Sequence, residues 1–197
     1  MNMSSFFGVI WYMRYEEKNK KGRTINSFIF EMFSFLLSAF IVFIFIFTFA
    51  FRLVTVDGSS MNNTLLNEDR LIVSELFSEP KCGDIIVANA EKSIGKIIIK
   101  RVIATEGQML KIDYDNNQIT VDGVIIDEPY LSVTTTKPTD YWEIPSVIPK
   151  GYVFVMGDNR PGSLDSRDSR VQLIPVEDIV GKAEFIVFPP NRITYLY

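Results

Sequence analysis

Three polar stretches of this sequence contain the residue types that nucleophilic hydrolysis requires. The first spans residues 56–65 and places a glycine, which permits a sharp backbone bend, two residues before Ser60. The second spans residues 96–103 and contains Lys100, and the third, at 157–170, is dense in turn formers and alternating charges. A serine hydroxyl becomes a nucleophile when a neighbouring base removes its proton. Taken singly, each stretch is more typical of an ordinary loop or a solvated edge strand than of a catalytic site.

The absence of histidine restricts the chemistry that these stretches can perform. None of the 197 residues is a histidine, which excludes a Ser-His-Asp triad, a Cys-His dyad and a histidine-ligated zinc site within this chain. A hydrolase built from this sequence must therefore activate its nucleophile with a carboxylate, a lysine or a metal bound through oxygen. The single cysteine, Cys82, cannot form an internal disulfide. A formal net charge of -4 gives no electrostatic reason to expect a nucleic-acid partner.

Lys100 lies in a run whose composition and alternation predict a β-strand. Alternate residues of a strand point to the same side, so Ile98, Lys100 and Val102 share one face. Apolar neighbours deprive the ammonium group of solvation and lower the pKa of the lysine toward neutrality. A neutral lysine amine is a usable general base for a serine hydroxyl.

The chain after residue 51 reads as β-structure. Short runs rich in β-branched residues, such as 84–89, 96–105, 118–126 and 182–188, alternate with turn signals. Asp122-Gly123 is a signal for a type I′ hairpin. We therefore expect a mainly antiparallel β domain, a compact barrel or a pair of sheets forming a sandwich.

Residues 32–51 form an uncharged, strongly apolar segment that predicts a transmembrane anchor. Its 20 residues are long enough, as a helix, to span a hydrocarbon core of about 30 Å. The alternative of a cleavable signal peptide rests on the spacing of the small residues Thr48 and Ala50, but the apolar run is longer than a usual signal core. A basic excess precedes the segment, and it comprises Arg14, Lys18, Lys20, Lys21 and Arg23 against Glu16 and Glu17. This asymmetry predicts a cytoplasmic segment at 1–31, an anchor at 32–51 and an extracytoplasmic catalytic domain at 52–197.

Taken together, the three stretches resemble the bacterial type I signal peptidases. The resemblance lies in Ser60-Met61 followed by Thr64-Leu65, in the run Lys100-Arg101-Val102-Ile103, and in the Gly-Asp-Asn-Arg and Ser-Leu-Asp-Ser-Arg segments of 157–167. The order and rough spacing also match, and residues 83–87 and 179–189 are similar to further parts of the family. The single anchor and the glycine at position 58 are typical of the Gram-positive branch.

The resemblance implies a role for each polar residue of the three stretches. Ser60 is implied to be the nucleophile and Lys100 the general base, with the backbone N–H of Ser60 in the oxyanion hole. Some relatives add a hydroxyl at the position of Gly58, so the oxyanion donors here are expected to differ or to be fewer. Ser163 matches a serine that orients the lysine amine. Three further charged residues are implied to support this loop, namely Asp158, Asp165 and Arg167.

The resemblance also implies substrates and partners. They are signal peptides of exported preproteins, bound as an extended strand with small side chains in pockets lined by Met61, Ile85, Ile86 and Val87. No cofactor and no metal is implied, and the partners are the preprotein and the lipid bilayer of the plasma membrane, with no nucleic acid.

One position departs from the family pattern. Asn63 stands where the family usually has a proline, whose restricted φ would stiffen the segment behind the nucleophile. This departure is compatible with a looser Ser60 or with a specialised paralogue. It also keeps a second hypothesis open, in which the chain is a signal-peptidase-like accessory factor for the assembly of surface proteins, with weak or narrow catalytic activity.

Overall fold

The computed structural model describes residues 3–76, 79–131 and 133–196, with the side chains of 3–10 and 18–24 left out of the description. The chain divides into two compact units, residues 1–48 and 49–197. Its described helices are α1 (Met3–Ala50), α2 (Glu91–Ile94) and three 3-10 turns at Arg160–Gly162, Val176–Asp178 and Pro190–Arg192. Its described strands are β1 (Phe51–Thr55), β2 (Arg70–Ser74), β3 (Ile85–Ala90), β4 (Lys96–Ala104), β5 (Leu110–Asp113), β6 (Gln118–Val121), β7 (Val124–Ile125), β8 (Tyr152–Met156), β9 (Ile174–Pro175), β10 (Ile179–Phe188) and β11 (Thr194–Tyr195).

The described residues of the first unit belong to one long helix with an apolar second half. Residues Ile25–Ala50 form a stretch of 26 residues with a mean hydropathy of 2.6, long and apolar enough to cross a membrane. The helix ends at Ala50, so Phe51, the last residue of the predicted anchor, begins the first strand. The side chains of residues 18–24 lie outside the described part of the chain. The orientation that their charges predict, and the boundaries drawn from it, therefore remain predictions.

The second unit consists of two antiparallel sheets. The larger sheet has the strand order β1-β2-β10-β3-β4-β8-β9, with β11 beside β10, and the smaller sheet has the order β5-β6-β7. The predicted hairpin is present, because Val121 pairs with Val124 and the two turn residues, Asp122 and Gly123, have φ values of 51° and 81°. Positive φ at both positions is what a type I′ turn requires. The predicted class, mainly antiparallel β with one N-terminal apolar helix, is confirmed.

The centre of the larger sheet positions the second polar stretch. β4 lies between β3 and β8 and pairs with both, with Ile86 opposite Lys100 and Met156 opposite Arg101. Five consecutive residues of β4, 100–104, are buried. Ile98 and Val102, on the Lys100 face of the strand, belong to one apolar cluster with Ile86. A lysine and an arginine are thus held in the best-packed part of the sheet.

Candidate active site

Ser60 and Lys100 meet in the structure. The Lys100 amine donates a hydrogen bond to the Ser60 hydroxyl, with 2.7 Å between Nζ and Oγ. Ser60 lies in a tight turn after β1, in which Asn62 N–H donates to the Ser59 carbonyl at 3.0 Å and Leu65 N–H to the Met61 carbonyl at 2.9 Å. The two functional groups come from elements 40 residues apart in the sequence. Their distance permits direct proton transfer from the hydroxyl to an unprotonated amine.

The surroundings of Lys100 favour its neutral form. The residue is only 4% exposed, and its amine also donates to the Ile99 carbonyl at 3.0 Å. Burial lowers the pKa of Lys100 from 10.5 to about 8, although the carboxylates of Asp165 and Asp158 oppose this shift. A substantial fraction of the amine is therefore unprotonated in mildly alkaline solution, as the apolar strand face predicted.

The third polar stretch holds the turn that carries Ser60. Asn159 donates from its backbone N–H to the Ser60 carbonyl and from its side-chain amide to the Ser59 carbonyl, both at 3.0 Å. Gly157 permits this approach, because a β-carbon there would lie 2.4 Å from the Ser60 carbonyl oxygen. Asn159 belongs to the Gly-Asp-Asn-Arg segment, but no role for it was predicted from the sequence. The signal available in the sequence was an amide side chain inside the Gly-Asp-Asn-Arg segment.

Two buried ion pairs support this stretch. Asp158 accepts from Arg101 at 2.9 Å (Nε) and 2.7 Å (Nη2), and the Thr64 hydroxyl donates to it at 2.5 Å. Asp165 pairs with Arg167 at 2.8 Å and accepts from the Gly157 N–H at 3.0 Å. Both carboxylates are at most 1% exposed. Buried charges of this kind persist when they are paired and hydrogen-bonded, so the loop is held in one conformation.

Ser163 differs from what the family resemblance implies. Its hydroxyl oxygen is buried, and it has no hydrogen-bond partner among the described residues. The expected bond to Lys100 is therefore not formed, because the amine contacts Ser60 and Ile99 instead. Ser163 still lies at the site, since its Oγ would be 2.3 Å from a β-carbon placed on Gly157.

Two backbone amides near the Ser60 hydroxyl, those of Gly58 and Ser60, differ in whether they already have an acceptor. Gly58 has a φ of 106°, a conformation that favours glycine, and its N–H donates to the Asn67 side chain at 2.9 Å. Within the described part of the chain, the Ser60 N–H has no acceptor. Of these two amides, the one at Ser60 is thus available to a developing oxyanion.

A cavity of about 480 Å³ opens beside the two functional groups. Its lining includes both Ser60 and Lys100, together with Met61, Ile98 and Leu164. Met61 thus lies where a substrate pocket was expected. The run Ile85–Val87 instead packs in the core with residues at most 2% exposed, because β3 is a central strand covered on both faces. The predicted contact of these three residues with substrate remains a prediction.

The arrangement is the one that a serine hydrolase with a lysine base requires: a hydroxyl, a neutralisable amine and a cavity that reaches both. In the residues that the structure describes, no group of three or more aspartate, glutamate, histidine or cysteine side chains could hold a metal ion.

Comparison with known proteins places the chain in a family. The family model described as signal peptidase, peptidase S26, matches residues 29–188. Signal peptidase I T of Bacillus subtilis is 37% identical over 155 residues, covering 73% of this chain and 77% of that protein. Signal peptidase I P of Bacillus subtilis subsp. natto is 34% identical over 190 residues, covering 91% of this chain and 97% of that protein. The chain therefore belongs to the signal peptidase family, peptidase S26, and is a type I signal peptidase and a serine hydrolase.

Two further proteins are similar to this chain at lower sequence identity. Thylakoidal processing peptidase 1, chloroplastic, of Arabidopsis thaliana is 31% identical over 153 residues, and the chain spans 43% of its length. A crystal structure of a signal peptidase I from Enterococcus faecalis V583 is 24% identical, with a TM-score of 0.43, covering 54% of this chain and 97% of that one.

Proposed function

We propose that this chain is a membrane-bound serine endopeptidase that removes signal peptides from exported preproteins, with Ser60 as nucleophile and Lys100 as general base. The observation that carries the proposal is the 2.7 Å contact between the buried amine and the serine hydroxyl, at the edge of a cavity. The accessory-factor hypothesis is not favoured, because both groups are present and in contact.

The first half of the reaction forms an acyl-enzyme. The neutral Lys100 amine takes the proton of the Ser60 hydroxyl while Oγ bonds to the scissile carbonyl carbon. The resulting oxyanion is stabilised by the Ser60 N–H, which has no other acceptor among the described residues. The intermediate collapses, the carbon–nitrogen bond breaks, and the Lys100 ammonium returns the proton to the departing amine.

The second half releases the signal peptide. Lys100, neutral again, removes a proton from a water molecule whose oxygen attacks the ester carbonyl. When the ester bond breaks, the proton held by Lys100 passes back to Ser60 Oγ and the dyad is restored. Ser163, whose buried hydroxyl is available to bond, is proposed to orient the amine during these steps. Gly58 is proposed to shape the turn, and Asp158, Asp165 and Arg167 to support the loop that holds Ser60.

The substrate is proposed to enter the cavity as an extended segment with small side chains next to the scissile bond. Met61, buried and lining the cavity, limits the size of the side chain that fits there. Ile85, Ile86 and Val87 do not line the cavity and are proposed to back it from the core, where Ile85 and Val87 pack with Met61 and Ile86 packs with Ile98.

The lipid bilayer of the plasma membrane is the second proposed partner, with the N-terminus cytoplasmic and the catalytic domain outside. The apolar helix ends at Ala50 and β1 begins at the next residue, so the start of the sheet stays close to the end of the span. The strand register places an apolar row on the outward face of the larger sheet, and it runs through Leu53, Ile72, Phe185 and Tyr195. Three of the four side chains are between 44% and 63% exposed, which suits contact with lipid.

The test is cleavage of a purified preprotein by the full-length, detergent-solubilised chain. We expect Ser60→Ala and Lys100→Ala each to lower kcat by about a thousandfold or more, as removal of a nucleophile or base does in related dyads and triads. Matched controls are Ser169→Ala and Lys111→Ala, which remove an exposed serine and an exposed lysine outside the cavity. Full activity of either dyad variant, in a folded protein, would exclude the proposed chemistry.

A further inference from the structure

The segment that leaves the smaller sheet contacts the loop that holds the nucleophile. After β7 ends at Ile125, residues 127–131 and 133–136, which we call the strap, run without regular secondary structure. Resting on the proposed function, we infer that the strap positions the catalytic dyad, with Glu128 as its principal positioning residue.

Glu128 neutralises a buried arginine of residues 157–167, which we call the catalytic loop. The Arg160 side chain is 0% exposed, and its guanidinium forms an ion pair with Glu128, whose side chain is 9% exposed. The other partners of this guanidinium are neutral oxygens, the Thr135 hydroxyl at 2.7 Å and the Gly157 carbonyl at 3.0 Å. A buried charge that loses its counter-charge strongly destabilises the local structure. Glu128 is therefore the group that makes the buried position of Arg160 possible.

Tyr130 contacts both Glu128 and a second buried arginine, Arg101. Its hydroxyl donates to Glu128 at 2.8 Å, and the centroid of its ring lies 4.0 Å from the Arg101 guanidinium carbon. Arg101 is the partner of Asp158 in the neighbouring ion pair. A cation over an aromatic face is favourable, and more so away from water. The strap thus contacts Arg160, which follows Asn159 in the sequence, and Arg101, which forms an ion pair with Asp158.

The far end of the strap is attached as well. Arg167 donates to the Thr136 carbonyl at 2.8 Å and to the Arg160 carbonyl at 2.7 Å. The Thr135 N–H donates to the Asn117 side chain, in the turn between β5 and β6, at 2.5 Å. The smaller sheet, the strap and the catalytic loop are therefore joined by a continuous set of polar contacts.

These contacts lead to the nucleophile through one intermediate residue. Arg160 directly follows Asn159, which donates to the Ser59 and Ser60 carbonyls. A displacement of Arg160 moves Asn159 and changes the position of Ser60 relative to Lys100. Glu128 does not line the cavity beside Ser60, so it acts on the reaction through Arg160 and Asn159 and not on the substrate.

The test compares Glu128→Gln with Asp127→Asn in the full-length chain. Positions 127 and 128 are adjacent, and each substitution removes one carboxylate charge. Glu128 is paired with Arg160, whereas Asp127 is exposed and makes no polar contact with the described residues. We expect Glu128→Gln to lower kcat, normalised to the folded fraction, by about ten- to a hundredfold with KM within about twofold, since small displacements of reacting groups reduce rate far more than binding. Asp127→Asn is expected to stay within about twofold of wild type in both constants.

Tyr130→Phe provides a milder version of the same change. It removes a hydroxyl that contacts Glu128 and retains the ring over Arg101. We expect it to lower kcat by about two- to fivefold without changing KM, because one hydrogen bond to a charged group is lost. If Glu128→Gln does not fold, the kcat of Tyr130→Phe tests the inference in its place.

Two results would overturn the inference. One is a normalised kcat of Glu128→Gln, or of Tyr130→Phe if Glu128→Gln does not fold, equal to that of wild type. In that case the loss of activity only follows the folded fraction measured by circular dichroism, and the role is structural without positioning. The other is an equal loss in Asp127→Asn. A wild-type chain that does not cleave the preprotein would instead refute the proposed function, so the two failures are distinguishable.

Discussion

Gly157 lies against the carbonyl group of Ser60 so closely that a β-carbon at position 157 would be 2.4 Å from that oxygen. The same added carbon would be 2.3 Å from Ser163 Oγ. The nucleophile turn and the catalytic loop therefore meet at a point where only hydrogen fits. Because Gly157 contacts the Ser60 backbone, this contact helps to set the position of Ser60 relative to Lys100.

Gly157→Ala is accordingly expected to impair catalysis more than stability. The methyl group must displace the backbone at Ser60, and we expect kcat to fall by about a hundredfold, as misplacement of a reacting group by about 1 Å does. Gly107→Ala is the control, because it adds a methyl group in open space at a φ of 78°. The control should lower the free energy of unfolding by about 1 kcal/mol and leave kcat unchanged. If Gly157→Ala and Gly107→Ala had the same kcat, the close contact between Gly157 and the Ser60 carbonyl would be contradicted.

The pH dependence of cleavage should follow the ionisation of Lys100. The general base is active when neutral, and the pKa of Lys100 is lowered to about 8 by burial. We expect kcat/KM to rise with pH, reaching half of its maximum near pH 8, when measured with an uncharged peptide substrate. A rate that is constant between about pH 6 and pH 10 would show that a different group takes the proton.

Lys100 is also expected to lower the stability of the protein at neutral pH. Because its folded-state pKa lies below its ordinary value of 10.5, the unfolded chain binds the proton more tightly than the folded one. The penalty is fully present below pH 8 and disappears as the pH rises from about 8 to 10.5. Lys100→Met should thus raise the free energy of unfolding at pH 7 by up to about 3 kcal/mol and by much less at pH 10.5.

Chemical denaturation of both proteins at several pH values measures this difference. The matched control is Lys111→Met, which replaces an exposed lysine of β5 and should not show the same change with pH. A stability gain of Lys100→Met that does not depend on pH would indicate better packing rather than the removal of a buried charge.

The backbone at Asn63 explains the absence of proline there. Asn63 has a φ of 77°, whereas the proline ring requires a φ of about −65°. Glycine adopts this conformation freely, and asparagine more easily than other residues. The departure from the family pattern therefore corresponds to a different turn conformation, with Asn63 exposed.

We expect the stability of substituted proteins to follow this backbone preference. Asn63→Gly should be within about 1 kcal/mol of wild type, Asn63→Ala lower by about 1 kcal/mol, and Asn63→Pro lower by about 2 kcal/mol or more. The kcat of Asn63→Pro should fall as well, because the turn carries Ser60. Thermal unfolding and cleavage assays measure both effects, and a proline variant as stable and active as wild type would contradict the φ of this residue.

Much of this protein follows from local sequence patterns. The apolar run at 32–51 predicted a membrane-length helix, which lies within the longer helix Met3–Ala50 except for Phe51. Asp122-Gly123 predicted its hairpin, and the lack of histidine left Lys100 as a candidate base. These features depend on a few neighbouring residues or on composition, and local patterns of this kind are visible without any knowledge of the fold.

Other features were decided by tertiary structure alone. The register of β3 buried Ile85–Val87 in the core, the packing of two loops left the Ser163 hydroxyl without its expected partner, and Glu128 met Arg160 across 32 residues of chain. The physical reason is that each depends on distances between segments remote in sequence. Residue types determine which groups can react or form ion pairs, but the close packing of strands and loops determines which of them come within hydrogen-bonding distance.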